Sequence, residues 1–231
     1  MEKIRLTITV RYSMLIGGQT SSSLADINTA REEGGAPIIP ASALKGALRI
    51  EFERLAAGLG KQICHLNRPE DACKPNSPCL ACQLFGSPGR EGKLRFQDAR
   101  LKGDLRKLFT KEDRPQVEPA KPTGKGYAVR PGVAINRIRK IAEENMLFTS
   151  ETVAPYQMAI YGSSSPLVFS SEVEVTGTLN PEEFKLLQAA VLSLQSVGAG
   201  KSRGLGHLEA KIERADGTSN NKISQPKFGN D

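Results

Sequence analysis

The chain has 231 residues, a formal net charge of +7, a pI near 9.3 and 39% hydrophobic residues. That is enough apolar material for a real core, in one large domain or one domain with an insertion. No apolar run approaches the ~20 residues of a membrane span. The start, Met1-Glu2-Lys3-Ile4-Arg5-Leu6, alternates like a strand and lacks a signal peptide's apolar centre, so the cytoplasm is the expected compartment. The basic balance suits an acidic polymer as partner. With no Trp, four Tyr, eight Phe and no aromatic-rich stacking strand, an RNA partner is expected to be held by its phosphates and shape.

In chain order, Ile4, Leu6, Ile8 and Val10 alternate with Arg5, Thr7, Thr9 and Arg11, the pattern of a half-buried strand. A polar stretch from Gln19 to Gly35 follows and holds one isolated carboxylate, Asp26. Pro37 and Pro40 lead into a helix expected from about Ser42, its N-cap, to Leu59, with Leu44, Leu48, Phe52 and Leu55 as its buried stripe. Lys45 and Arg49, four apart, share another side. Gly46 costs that helix about 1 kcal/mol relative to Ala, which points either to close backbone approach by a ligand or to tight packing on a strand. Residues 61–90 form a polar insertion rich in Pro and Cys, and Leu94 to Leu101 could be a strand. Thr110 to Tyr127 is charged and Pro-rich, a loop; Ala128 to Ala142 reads as an extended arm or hairpin. Strands are expected at Leu147–Val153 and Val168–Leu179. Asn180-Pro181-Glu182-Glu183 is a strong helix start, and Phe184, Leu187, Val191 and Leu194 carry that helix to a glycine-rich loop. Leu205 to Ile212 closes the domain.

The order strand, helix, strands, helix, strand predicts an α+β, ferredoxin-like (RRM-like) βαββαβ core over residues 1–214. It carries insertions at 61–90 and 110–153, and residues 215–231 read as a disordered tail.

Two segments have the chemistry to hold a phosphodiester backbone. Pro37 to Gly46 runs into the helix that carries Arg49, and Gly198-Ala199-Gly200-Lys201-Ser202-Arg203-Gly204-Leu205-Gly206 precedes the last strand. Small residues let N–H groups approach an anion, and cations neutralise it. The candidate contacts are Ser42, Lys45, Arg49, Gly200, Lys201, Ser202, Arg203 and Gly204. Gly200-Lys201-Ser202 resembles the end of a nucleotide-binding P-loop, but the required first glycine falls at Gln195, and a helix precedes the loop where a strand should. The competing use of these glycines is a plain helix-to-strand turn. Cys64, Cys73, Cys79 and Cys82 crowd into one segment, and Cys79-Leu80-Ala81-Cys82 is a chelating half-site for a closed, structural zinc. His65 could replace a cysteine ligand; disulfides and free thiols are the competing uses.

The combination resembles the RAMP superfamily, specifically backbone subunits of type III CRISPR effector complexes. That family's first helix is typically entered by Pro-x-Ile-Pro-Gly-Ser-Ser-Leu-Lys-Gly-x-x-Arg, matched by Pro37, Ile39, Pro40, Ser42, Leu44, Lys45, Gly46 and Arg49. Its C-terminal Ser-Arg-Gly-x-Gly is present as Ser202 to Gly206; Leu84-Phe85-Gly86 and Val129 to Arg137 are also similar to it. Ala41, Ala43 and Asn136 depart from the usual Gly, Ser and acid. The resemblance implies a subunit that polymerises along a guide CRISPR RNA with copies of itself or other RAMP subunits and pairs it with complementary target RNA. A thumb hairpin around Arg130 to Ile141, with Arg130 and Arg137 as RNA contacts, would displace a base pair at intervals. It also implies target cleavage by attack of a ribose 2′-OH on the adjacent phosphate. Asp26 and a divalent metal such as Mg would assist, and Arg137 or another nearby cation would steady the charge. The alternatives are a scaffold that holds RNA without cutting, with Asp26 a turn residue, and a guide-processing endonuclease relying on His65 or His207.

Overall fold

A computed structural model describes residues 2–18, 25–64, 73–74, 76–109, 126–153 and 166–214. The loop expected within 110–125 and the tail at 215–231 lie outside the described residues, as does His65. Its elements are β1 (Glu2–Val10), β2 (Ile38–Ile39), α1 (Ala41–Gly58), α2 (Leu80–Phe85), β3 (Leu94–Phe96), β4 (Ala99–Leu101), a 3-10 turn (Asp104–Phe109), β5 (Tyr127–Ile135), β6 (Ala142–Val153), β7 (Leu167–Val175), α3 (Pro181–Ser193), a 3-10 turn (Lys201–Arg203) and β8 (Leu208–Arg214).

The alternation of Ile4, Leu6, Ile8 and Val10 buries all four on one face of β1, which is central and pairs antiparallel with β7 on one edge and β8 on the other. The main sheet runs β2-β4-β7-β1-β8, with β3 also on β7. Counting β3 and β4 as one interrupted strand, this is a mixed α+β arrangement consistent with the ferredoxin-like βαββαβ order. The helices α1 and α3 pack together over one face, where Leu44, Leu48, Phe52, Leu187 and Val191 join the strand residues in a single core. β5 and β6 pair only with each other, as a separate two-stranded hairpin.

Two local expectations need correcting. The strand expected over Leu94 to Leu101 breaks at Gln97-Asp98, and the break frees the Asp98 carboxylate to accept the Ala41 N–H at 2.7 Å. Ser42 is therefore not the N-cap of α1: the chain enters through Pro40, and a residue distant in sequence supplies the cap. The Cys-rich insertion joins the core at its C-terminal end. Leu84 and Phe85 of α2 are 0% and 1% exposed, and the Phe85 ring packs between Phe52 (5.5 Å) and Phe96 (6.0 Å). The α3 start is as expected: Asn180 Oδ1 accepts Glu183 N–H at 2.7 Å, and Glu183 Oε2 accepts Asn180 N–H at 2.9 Å. The buried Glu183 also meets Lys93 Nζ at 2.9 Å, which ties the helix to the chain entering β3.

Asp98→Ala is expected to lower stability by about 1 kcal/mol by uncapping α1. The check is a lower urea midpoint at unchanged m-value; an unchanged midpoint would mean that water satisfies Ala41 equally well.

Candidate nucleic-acid interface and metal centre

Beyond β1, residues 13–16 act as a shared anchor. Ser13 O accepts the Gly206 N–H and Leu15 O accepts the Ala199 N–H, both at 2.8 Å, which docks the glycine loop. Met14 exchanges backbone bonds with Val153 of β6 at 2.9 and 2.8 Å, and Ile16 O accepts Ala30 N–H at 2.8 Å. One short segment thus holds the glycine loop, the root of the hairpin and the loop that carries Asp26. Arg130 of β5 crosses this junction, donating to Ser13 Oγ at 2.9 Å.

Asp26 is exposed and pinned to the hairpin. Its Oδ2 accepts both the Thr149 N–H (2.6 Å) and the Thr149 hydroxyl (3.1 Å), and its own N–H donates to Thr149 O at 3.0 Å. The Thr149 backbone bond, followed by its hydroxyl, holds the carboxyl below the usual carboxylate range despite a small opposing effect of burial. Asp26 is therefore an anion at neutral and mildly acidic pH, a better electrostatic or metal-binding group than a proton acceptor. The supporting loop is itself braced. Thr29 Oγ1 donates to Glu151 O at 2.7 Å, Arg31 pairs with the buried Glu151, and the Arg31 guanidinium lies 3.9 Å from the Tyr127 ring centroid. Ile27 bridges Ser150 in parallel and Ser150 faces Arg130, so Asp26 and Arg130 flank β6 with backbones about 10 Å apart, two strand spacings.

The glycine loop serves both uses weighed for it. Gly198, Gly200, Gly204 and Gly206 all have positive φ, and a side chain at Gly206 would strike the Val197 backbone, so part of the pattern is demanded by the turn. The N–H groups of Arg203, Gly204 and Leu205 bond within the loop and those of Ala199 and Gly206 bond to Leu15 and Ser13, whereas those of Gly200, Lys201 and Ser202 meet no backbone acceptor among the described residues. They stand beside the exposed Lys201 and Arg203.

The other phosphate-type segment lies across the sheet. Ser42 and Lys45 line an open recess of about 630 Å3 with Arg49, Arg90 and Arg95. The first turn of α1 has no acidic residue, and a Cβ at Gly46 would meet nothing within 4 Å. The helix surface at Gly46 is thus open, not packed on a strand. Because β2 and β8 are the two edges of the sheet, the two segments are four strand spacings apart, about 19 Å. They cannot grip one phosphate together.

Arg49 faces the cysteines. Its Nε meets Glu53 Oε1 at 2.6 Å, one terminal nitrogen donates to Gly86 O at 2.6 Å and the other to Cys82 Sγ at 3.4 Å. Around Cys82 the four ligand atoms of Cys64, Cys73, Cys79 and Cys82 all lie within 4.8 Å of one another, with Cys64–Cys82 at 3.3 Å and Cys64–Cys79 at 3.7 Å. Tetrahedral zinc with Zn–S bonds of about 2.3 Å needs sulfurs about 3.8 Å apart, so the set fits one metal ion and is compatible with structural zinc. Cys64 makes the fourth donor without recourse to His65. Burial pushes the Cys64, Cys73 and Cys82 thiols up. Burial opposes the Cys79 thiolate too, but hydrogen bonds from the Cys64 and Cys82 backbone and the Cys73 and Cys64 thiols bring it down to about 7.

At the far end of the hairpin, Asn136 Oδ1 accepts the Ile138 and Arg139 N–H groups at 3.0 and 2.9 Å, forming the turn that presents Arg137. Along the ladder Thr149 pairs with Pro131 and Ala142 with Ile135, with an irregularity between Val133 and Ile135, so the two rungs stand four β5 residues apart, about 13 Å. The Arg137 backbone, in the turn beyond Ile135, thus stands farther along the hairpin from Asp26 than the Arg130 backbone does.

A family model, the RAMP superfamily, matches residues 7–209. The chain belongs to the RAMP superfamily. As a RAMP protein it is a CRISPR-associated, RNA-binding chain. No curated protein matches it. Among the described residues no helix is long and apolar enough to cross a membrane.

The RAMP match spans all four places described above. Sequence reasoning missed Thr149 as the partner of Asp26, the Arg31–Glu151 brace, the Asp98 cap and the turn of Arg49 toward Cys82. Each joins residues far apart in the chain, and no local motif announces them. Arg49→Gln is expected to weaken zinc binding about tenfold and to leave the salt dependence of RNA binding unchanged. Cys79→Ser is expected to lose the roughly one equivalent of zinc per chain that metal analysis of the wild type should return.

Proposed function

We propose that this RAMP protein is a guide-RNA-binding backbone subunit of a type III CRISPR ribonucleoprotein, acting in the cytoplasm, that positions complementary target RNA and cleaves it. The observation that carries the cleavage reading is the exposed Asp26 carboxylate fastened to the root of the β5–β6 hairpin. In this reading Lys45 and Ser42 at the α1 entrance, and Gly200 to Gly204 with Lys201 and Arg203, hold successive guide phosphates. The zinc site is structural, and Arg49 supports it from outside the ligand set.

Cleavage is attack of a ribose 2′-OH on the adjacent phosphorus, giving a 2′,3′-cyclic phosphate and a free 5′-OH. The hairpin, by displacing a nucleotide, sets the in-line geometry from which most of the rate derives. Asp26, held ionised by Thr149, supplies negative charge for a divalent ion such as Mg, which would offset charge on the phosphate oxygens. Among the described residues Asp26 belongs to no metal-ligand cluster, and phosphate oxygens of the RNA and water would supply further ligands to such an ion. Arg137 or another nearby cation would steady the departing charge; Arg130 pairs with Ser150, on the face opposite Thr149, and donates to Ser13.

Assembly with copies of this chain or other RAMP subunits fits the hairpin's outer half. There Ile138 is 93%, Leu147 72% and Ile135 62% exposed, a surface that a neighbouring subunit or nucleotides would cover. A second reading, an RNA-holding scaffold that does not cut, is favoured by the fact that Asp26 Oδ2 is engaged by Thr149 as a turn residue's would be.

The guide-loaded complex with Mg²⁺ and labelled complementary RNA decides between them. Asp26→Ala should abolish the cut and leave target binding intact; persistence of the cut selects the scaffold reading. Because Asp26 titrates below the ordinary carboxylate range, wild-type cleavage should not lose this group's charge until the pH falls below that range. Lys45→Ala and Lys201→Ala should each lower the slope of log affinity against log salt by about one, uniformly across RNA sequences.

A further inference from the structure

Tyr12 and His207 take no part in the sites above, yet they meet at the mouth of the glycine loop. Their ring centroids are 6.1 Å apart at 44°, Tyr12 is 61% exposed, and His207 is also exposed. Both line an open recess of about 450 Å3 together with Gln195, Ser196, Lys201 and Gly204. Its walls are fixed: Ser196 bridges His207 in antiparallel fashion, and Leu208 N–H donates to Gln195 O at 2.9 Å. The floor is kept clear by Gly204, where a Cβ would meet nothing within 4 Å. The nearby acid, Glu209, is paired with Arg11 at 3.1 Å.

The geometry points to a nucleobase subsite. One base of a single-stranded RNA stacks on the exposed Tyr12–His207 ring pair, with its edge toward the Gln195 amide and Ser196 hydroxyl. The adjoining phosphate lies against Lys201 and the open N–H groups of the glycine loop. The inference rests on the RNA-binding reading and adds to it. The composition points to holding RNA mainly by its phosphates and shape, whereas this recess takes a base, by stacking that tolerates any of the four.

The test compares fluorescein-labelled octauridylate with an abasic octamer of the same ribose-phosphate backbone, both binding the purified full-length chain at one salt concentration. The wild type should prefer the base-bearing strand about tenfold. Tyr12→Ala and His207→Ala should erase that preference while affinity for the abasic strand stays unchanged, and Tyr12→Phe should retain it. Unshifted melting curves would show the variants folded, as expected for side chains this exposed. Equal wild-type affinity for the two strands, or a preference that survives both alanine variants, overturns the subsite and leaves the phosphate-holding reading standing. Failure of the wild type to bind either strand removes both.

Discussion

The pairing of β1 on both edges is the constraint on which the remaining structure depends. Ile4, Leu6, Ile8 and Val10 are almost wholly buried and keyed in register to β7 and β8, so the strand cannot slip by one residue without turning its apolar face outward. The segment that continues from it inherits that fixed position. Residues 13–16 then offer their backbone to three otherwise unrelated loops. The glycine loop, the Asp26 loop and the hairpin root are irregular or two-stranded elements that could not hold a geometry alone. They are ordered because they share one rigid attachment.

Charge is divided between structure and ligand in a way that composition does not show. Arg49 and Arg31 lie in family-like or site-adjacent positions but are consumed internally, by Glu53, Gly86 and Cys82 in one case and by Glu151 and Tyr127 in the other. Lys201 and Arg203 remain exposed beside open backbone donors. The distinction follows from cost. A partly buried guanidinium requires several fixed acceptors, whereas a cation meant for a polyanion must keep its hydration until the partner arrives.

The regular parts were legible because their signals are local. Alternation in β1, the Asn180-Pro181 start of α3 and the 3.6-residue stripe of α1 each reflect burial of neighbouring residues, and the order of elements followed. The cysteine set was legible through its own spacing. What escaped were relations between distant residues: Asp98 capping Ala41, Thr149 clasping Asp26, and Cys82 drawing Arg49 inward. The Tyr12–His207 pair escaped for a related reason, since an aromatic count reports scarcity over the chain and not proximity in the fold. The resemblance implies Arg137 or another nearby cation for the site, and which cation meets an RNA depends on the irregular end of the ladder beyond Val133, which no local motif announces.

The hairpin is mechanically a cantilever. Its root is buried from Ser150 to Val153 and clamped to Met14, while the first six residues of β6 are exposed. With an arm of about 13 Å, a tilt of only 10° at the clamp would carry the end of the ladder about 2 Å sideways. The position of the tip is therefore decided less by residues at the tip than by the stiffness of the root, where Met14 bonds Val153 and the Asp26-Ile27 backbone bonds Thr149 and Glu151.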